Sequence, residues 1–173
     1  GNPICGRIAL IKSVQNATIE NLNVKASIWA SSYKLSGVVC DAAGRTTISN
    51  CVIDADIKCA YEGGASEIAG MVTYVLPNAN VTINDCIVKG KYNTTLKEGS
   101  ISVSGFISGH NGTSTFNNCI YLGDNVPGGG YTFAAYTYLG PTLNNCYYLN
   151  ACGIAQGTKI TAEQLKNGEV QKK

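Results

Sequence analysis

The chain has 173 residues, and its 13 lysines and arginines against 11 acidic residues give a formal net charge of +2. Charged residues make up 14% of the sequence, well below the ~25% of an average soluble domain. A nucleic-acid-binding protein is excluded because the basic stripe typical of that class is missing. No run of ~18 apolar residues predicts a membrane-spanning helix. The length suits one domain.

The most informative feature is an internal repeat. Five segments align without gaps: ATIENLNV, TTISNCVI, VTINDCIV, STFNNCIY and PTLNNCYY, which begin at Ala17, Thr46, Val81, Ser114 and Pro141. A second marker is a glycine that opens a β-prone run, and it recurs at Gly6, Gly37, Gly70 and Gly105. Both markers advance together, at intervals of 27 to 35 residues. Two markers in step indicate a stacked repeat architecture.

Each repeat is predicted to contain three short strands, exemplified by Thr47–Ser49, Cys51–Ile57 and the run at Gly37. Asn50 stands between the first two, and asparagine tolerates the left-handed backbone of a tight corner. Its equivalents are Asn21, Asp85, Asn118 and Asn145. Such a unit buries its apolar face only against stacked neighbours ~4.8 Å away. The sequence therefore predicts an all-β fold, a right-handed parallel β-helix of about five coils over residues 1–156.

Four of the eight cysteines take the same position in the repeat. Cys51, Cys86, Cys119 and Cys146 stand where the first repeat has Leu22. Because leucine fits that position, we expect a buried column of free cysteines that pack as small apolar side chains, in preference to disulfides or metal ligands. The sequence does not assign the state of the other four, which are Cys5, Cys40, Cys59 and Cys152.

No metal or cofactor is expected from the sequence. A zinc site lacks the usual ligand spacing, because no Cys-x-x-Cys pair is present. The single histidine, His110, precedes Asn111-Gly112, and we expect it to be exposed in a turn with no catalytic partner.

The last part of the chain, residues 157–173, is predicted to be a separate tail. Thr161 and Gln164 form a capping-box pattern that predicts a short helix over 162–167. Apolar residues occupy the outward positions of the late repeats, for example Ile120 and Tyr147. We expect the tail to cover this patch or the open sheet edge. The glycine-rich insertion at 124–130 is predicted to be a surface loop.

Two candidate sites follow from the predicted outward residues. Asp54 and Asp56, with Lys58 and Asp41, are the best candidates for acid–base chemistry or calcium binding. The matching positions of the next two coils carry Lys89 and Lys91, then Leu122 and Asp124. No acidic patch spans several coils, so a solvated charged strand face is the favoured interpretation. Tyrosines are concentrated late in the chain, and aromatic rings stack on sugars. The candidate glycan-binding residues are Tyr131, Tyr136 and Tyr138.

The repeat pattern is a glycine followed by two apolar residues and, later, the T-I-x-N-C sequence. This combination resembles the GLUG-motif repeats of bacterial cell-surface proteins. The segment that begins at Thr161, TAEQLKNGEV, looks like one that often follows such repeats. The resemblance implies a secreted or wall-attached setting and carries over no catalytic residue. The expected function is a non-enzymatic extracellular module, an adhesin or stalk, with a glycan or protein as partner and flanking domains in the same chain. The alternative is a carbohydrate-binding or carbohydrate-active fragment.

Overall fold

A computed structural model describes residues 6–31, 33–59, 66–94, 101–124, 126–136 and 139–170. Strands account for 60% of the structure and helix for 4%. Each strand pairing is parallel. The predicted all-β class with parallel strand stacking is therefore confirmed.

Each of the first four repeats contributes four strands. The first has β1 (Arg7–Ile8), β2 (Ile11–Gln15), β3 (Thr18–Glu20) and β4 (Asn23–Ala30); the second has β5 (Lys34–Ser36), β6 (Val39–Ala43), β7 (Arg45–Ser49) and β8 (Val52–Cys59). The third has β9 (Ser66–Ala69), β10 (Val72–Val75), β11 (Asn80–Asn84) and β12 (Ile87–Thr94); the fourth has β13 (Ile101–Ser104), β14 (Ile107–His110), β15 (Thr113–Asn117) and β16 (Ile120–Tyr121).

The end of the chain is less regular. It contains β17 (Val126–Tyr131), β18 (Thr142–Asn144), β19 (Tyr147–Tyr148), β20 (Cys152–Ile154), β21 (Thr158–Lys159) and α1 (Ala162–Lys166). Residues 126–131 thus form a strand, so the prediction of a loop over 124–130 was wrong. The extended segment pairs with β20, and backbone pairing outweighs the low strand propensity of its glycines.

Four parallel sheets take one strand from each repeat in turn. Sheet A has the order β1-β5-β9-β13, sheet B β14-β10-β6-β2, sheet C β18-β15-β11-β7-β3, and sheet D β21-β19-β16-β12-β8-β4. Equivalent residues of the repeat are partners in the sheets: Ile48 aligns with Ile83, and Ile53 aligns with Val88. The sequence repeat is therefore a structural repeat.

The glycine marker explains why a repeat has four strands and not the predicted three. A Cβ on Gly37 would lie 2.3 Å from the carbonyl oxygen of Gly70, and one on Gly70 would lie 2.4 Å from that of Gly105. Only glycine permits this close approach of stacked backbones. In the second to fourth repeats the chain bends at these glycines, which divides the single predicted strand into one strand of sheet A and one of sheet B. In the first repeat the predicted marker Gly6 precedes β1 and does not lie at the bend.

The corner asparagines adopt the predicted conformation. The φ angles of Asn21, Asn50, Asp85, Asn118 and Asn145 lie between 52° and 60°. Their amides also form a ladder: Asn50 Nδ2 donates to Asn21 Oδ1 at 2.8 Å, and Asn145 donates to Asn118 at 3.2 Å. Asn118 donates to Asp85. A carboxylate has no amide hydrogen to pass on, so the ladder is interrupted between Asp85 and Asn50.

The cysteine column is buried as predicted. Cys51, Cys86 and Cys119 are fully buried, Cys146 is 4% exposed, and all four are free thiols. Leu22, in the outermost repeat, is only partly buried. Cys40 and Cys152 are also buried free thiols, whereas Cys5 lies outside the described residues. The column therefore packs as part of the apolar core.

The tail extends the stack. β21 pairs with β19 in sheet D, and Ile160 is 4% exposed. The helix α1 begins after Thr161, whose side chain accepts a hydrogen bond from the Gln164 backbone, while the Gln164 side chain accepts one from the Thr161 backbone. The predicted capped helix is confirmed, one residue shorter than expected. The added strand covers the open edge of sheet D after the fifth repeat.

Candidate binding face

The outer face of sheet D carries a group of exposed charged side chains. β4, β8 and β12 are each eight residues long, and successive side chains along a strand point to opposite faces. The partly exposed and exposed positions of β8 alternate with fully buried ones. Sheet register therefore places Asp54 between Lys25 and Lys89, and Asp56 between Ser27 and Lys91.

These two lines of side chains are the walls of a groove of about 550 Å³. The groove is lined by Lys25, Ala26, Ser27, Asp54, Asp56, Lys89, Gly90, Lys91, Leu122 and Asp124. The fourth repeat joins it because the backbone N–H of Leu122 donates to the carbonyl of Val88, and that of Asp124 to the carbonyl of Gly90. The groove thus crosses β4, β8, β12 and the segment 122–124 of the fourth repeat along the stacking direction.

Gly90 gives the groove part of its floor. Its φ angle is +143°, and a Cβ there would lie 2.1 Å from the carbonyl oxygen of Ala55. Only glycine combines this backbone conformation with such a contact. The floor is therefore free of side chains between Lys89 and Lys91.

The groove charges are not neutralised by ion pairs within the structure. In the described part of the chain, ion pairs join only Arg7, Lys34, Asp41 and Glu67. Lysine and aspartate side chains thus remain available to a ligand along the whole groove. The structure brings Asp54 and Asp56 together on one face, with Lys58 further along the same strand.

Asp41 lies elsewhere, in the contact between sheets A and B. Its carboxylate accepts a hydrogen bond from Lys34 Nζ at 3.0 Å and pairs with Arg7 Nε at 3.1 Å. Burial acts to lower the pKa of Lys34, but the bond to Asp41 and the charges of Glu67 and Asp41 outweigh it and raise that pKa. Burial raises the pKa of Glu67, although Lys34 opposes the shift. Asp41 is therefore not a member of the predicted acidic site.

Trp29 extends the face at the first repeat. It is the single tryptophan of the chain and is 74% exposed. Lys58 Nζ lies 5.0 Å from the centre of its ring, a cation–π distance. A second cavity of about 310 Å³ lies between this pair and the groove, and it is lined by Ser27, Ile28, Trp29, Asp56, Ile57, Lys58, Lys91 and Asn93.

Sequence reasoning missed Trp29 as a site residue. The sequence did contain an indication of its position. The strand alternation that points Asp54 and Asp56 outward also points Trp29 outward on the neighbouring strand. An exposed tryptophan beside charged residues is a common feature of binding surfaces.

The predicted tyrosine site is represented by two neighbouring rings. Those of Tyr131 and Tyr136 are 5.2 Å apart at an interplanar angle of 46°, and Tyr136 is 44% exposed. Tyr138 lies outside the described residues. Neither tyrosine is among the residues that line the groove.

His110 is buried, so its predicted exposure in a turn was wrong. It ends β14, aligned with Val75, and is 5% exposed. Neither ring nitrogen has a hydrogen-bond partner in the described chain. Burial lowers the pKa of His110, and the backbone groups of Thr113 and Leu139 oppose this shift without cancelling it. The histidine is a core residue.

No group of three or more His, Cys, Asp or Glu residues suited to a metal ion occurs in the described ranges. None of the helices in those ranges is long and apolar enough to cross a membrane. The chain matches no family model, no curated protein and no solved structure.

Proposed function

We propose that the chain is a non-enzymatic extracellular module of a larger bacterial surface protein and that it serves in adhesion. In this proposal the four sheets are the walls of a right-handed parallel β-helix of about five coils. The strand order supports this architecture, because sheets A to D each receive one strand from each of the first four repeats in the same sequence. The GLUG-like markers support the surface setting.

The observation that carries the adhesive function is the groove of sheet D together with Trp29. An extended polymer fits an open groove that spans four repeats better than a closed pocket. The unpaired lysines and aspartates offer charge-assisted hydrogen bonds, and Trp29 offers an exposed aromatic face for a sugar ring. A saccharide chain is the ligand class that uses all three features.

The surroundings of the carboxylates favour binding over catalysis. Glycoside hydrolysis needs a general acid that keeps its proton, usually a carboxyl group in an apolar pocket. Asp54 is partly exposed and Asp56 is exposed, and each has a lysine on the neighbouring strand. Neither carboxyl group therefore lies in the apolar pocket that such a general acid needs.

A glycan array that includes mucin and plant polysaccharides tests the proposal. We expect the wild-type chain to bind at least one class of glycan and Trp29→Ala to lose most of that binding. Leu10→Ala, which removes an exposed apolar side chain that does not line the groove, is the control. Absence of any glycan ligand would support a purely structural stalk.

The alternative, a carbohydrate-active fragment, has a separate readout. Release of new sugar ends from a polysaccharide, abolished by Asp54→Asn with Asp56→Asn, would establish catalysis and overturn the proposal. We expect no such release.

A further inference from the structure

The signs of the charges in the groove alternate from strand to strand. β4 contributes Lys25, β8 contributes Asp54 and Asp56, and β12 contributes Lys89 and Lys91. Asp124 continues the series in the fourth repeat. Neighbouring parallel strands are ~4.8 Å apart. The groove therefore presents bands of positive, negative, positive and negative charge along the stacking direction.

Two of these bands are pairs that face each other across the groove. Asp54 and Asp56 are separated by Ala55, whose side chain is buried, and Lys89 and Lys91 are separated by Gly90. Each pair places two like charges on opposite walls with a narrow floor between them. A ligand group in such a band meets charge of one sign from both sides.

From this pattern we infer that the groove binds a saccharide chain with alternating positive and negative groups, a zwitterionic glycan. A polyanion would be attracted by Lys89 and Lys91 but repelled by the two aspartates of β8. A polycation would be attracted by the two aspartates of β8 but repelled by Lys89 and Lys91. Only a chain with amino and carboxylate groups in alternation satisfies neighbouring bands together. This inference rests on the proposed function.

Trp29 indicates where an uncharged sugar ring of the bound saccharide lies. The ring is next to the outermost band, and Lys58 covers one side of it at 5.0 Å. A sugar ring stacked on the remaining exposed surface continues directly into the groove through the smaller cavity, because Ser27, Asp56 and Lys91 line both cavities. Aromatic stacking supplies affinity, and the bands supply selectivity.

Three polymers with the same β-1,4-linked backbone type separate the possibilities. Carboxymethyl chitosan carries both amino and carboxylate groups, chitosan carries amino groups alone, and carboxymethyl cellulose carries carboxylates alone. Hydroxyethyl cellulose is the uncharged reference. Binding is measured by isothermal titration calorimetry at low and at high salt with the complete chain.

We expect carboxymethyl chitosan to bind about tenfold more tightly than either singly charged polymer, a factor that two or three exposed charge contacts supply. The advantage should shrink as salt rises, because exposed charges are screened. Lys89→Gln with Lys91→Gln should weaken binding of carboxymethyl chitosan and improve binding of chitosan. Asp54→Asn with Asp56→Asn should weaken binding of carboxymethyl chitosan and improve binding of carboxymethyl cellulose.

The control is Lys12→Gln with Lys166→Gln, which removes the same charge from exposed positions on β2 and α1. Melting temperatures of all variants separate binding from loss of sheet stability. Equal affinity for carboxymethyl cellulose and carboxymethyl chitosan would overturn the inference and leave the adhesive function intact. If no polymer and no array glycan binds the wild-type chain, the proposed function itself fails.

Discussion

The carbonyl oxygen of Gly70 occupies the space that a side chain on Gly37 would need, 2.3 Å from the position of its Cβ. The contact is repeated one layer on, where Gly70 meets the carbonyl oxygen of Gly105. Stacked glycines thus set the distance between successive turns of the chain where sheets A and B meet. Charges on the outer faces keep their register only if this inner spacing is kept.

Gly70→Ala should strongly destabilise the fold. The new methyl group would lie 2.3 Å from a methyl carbon of Val88 and 2.4 Å from the Gly105 carbonyl. We expect the free energy of unfolding to fall by about 3 kcal/mol, at the upper end of overpacking effects. Gly140→Ala is the control, because its Cβ would come no closer than 3.6 Å to Tyr136. Equal denaturant midpoints for the two variants would contradict the packing role of the glycine marker.

Asp41→Asn tests the buried ion cluster. Lys34 is 5% exposed, and without the carboxylate its remaining anionic partner is Glu67 at 3.6 Å. Removal of one partner from a buried pair costs about 3 kcal/mol. Asp56→Asn removes an exposed carboxylate that has no ion pair and should change stability by less than ~0.5 kcal/mol. Urea unfolding of both variants checks the difference, which should vanish if the cluster does not contribute to stability.

His110 should make the protein sensitive to mild acid. Its pKa is lower in the folded than in the unfolded chain, so the unfolded state binds more protons below pH ~6.5 and stability falls as pH decreases. The slope from one group is at most about 1.4 kcal/mol per pH unit. Glu67, whose pKa is raised, acts in the opposite sense.

His110→Val isolates this contribution, because Val75 and Ala42 occupy the same column in neighbouring strands. We expect the free energy of unfolding of the variant to decline less than that of the wild type between pH 7 and pH 5. The measurement is a series of urea titrations at fixed pH. Parallel curves for the two proteins would show that the histidine is not buried in its neutral form.

The column cysteines should be free but unreactive in the native protein. Burial raises the pKa of Cys86 to about 12, so this thiol forms almost no thiolate near pH 8. The other three thiols are shielded from reagents because they are buried. A thiol reagent added without reductant should label few groups in the native state and at least four after denaturation. Quantitative disulfide formation in the denatured sample would refute the packing role.

Sequence alone determined the local and repeated features. Asn50 and its equivalents predict their left-handed corners because few other side chains tolerate that conformation. The alternation along β8 predicts which side chains face outward, and Thr161 with Gln164 predicts the helix start. These properties depend on residues close in the chain or one repeat apart, so the pattern of residue types is sufficient to predict them.

Only the tertiary structure decided which elements meet. Asp41 and Asp56 have the same chemistry, yet the bend at Gly37 places Asp41 in a buried ion cluster, whereas Asp56 lines an open groove. His110 resembles a turn residue in sequence but is buried by packing. The groove arises because strands 29 to 35 residues apart in sequence are brought into register. Contacts of that range depend on how whole sheets pack, a property that no short stretch of sequence encodes.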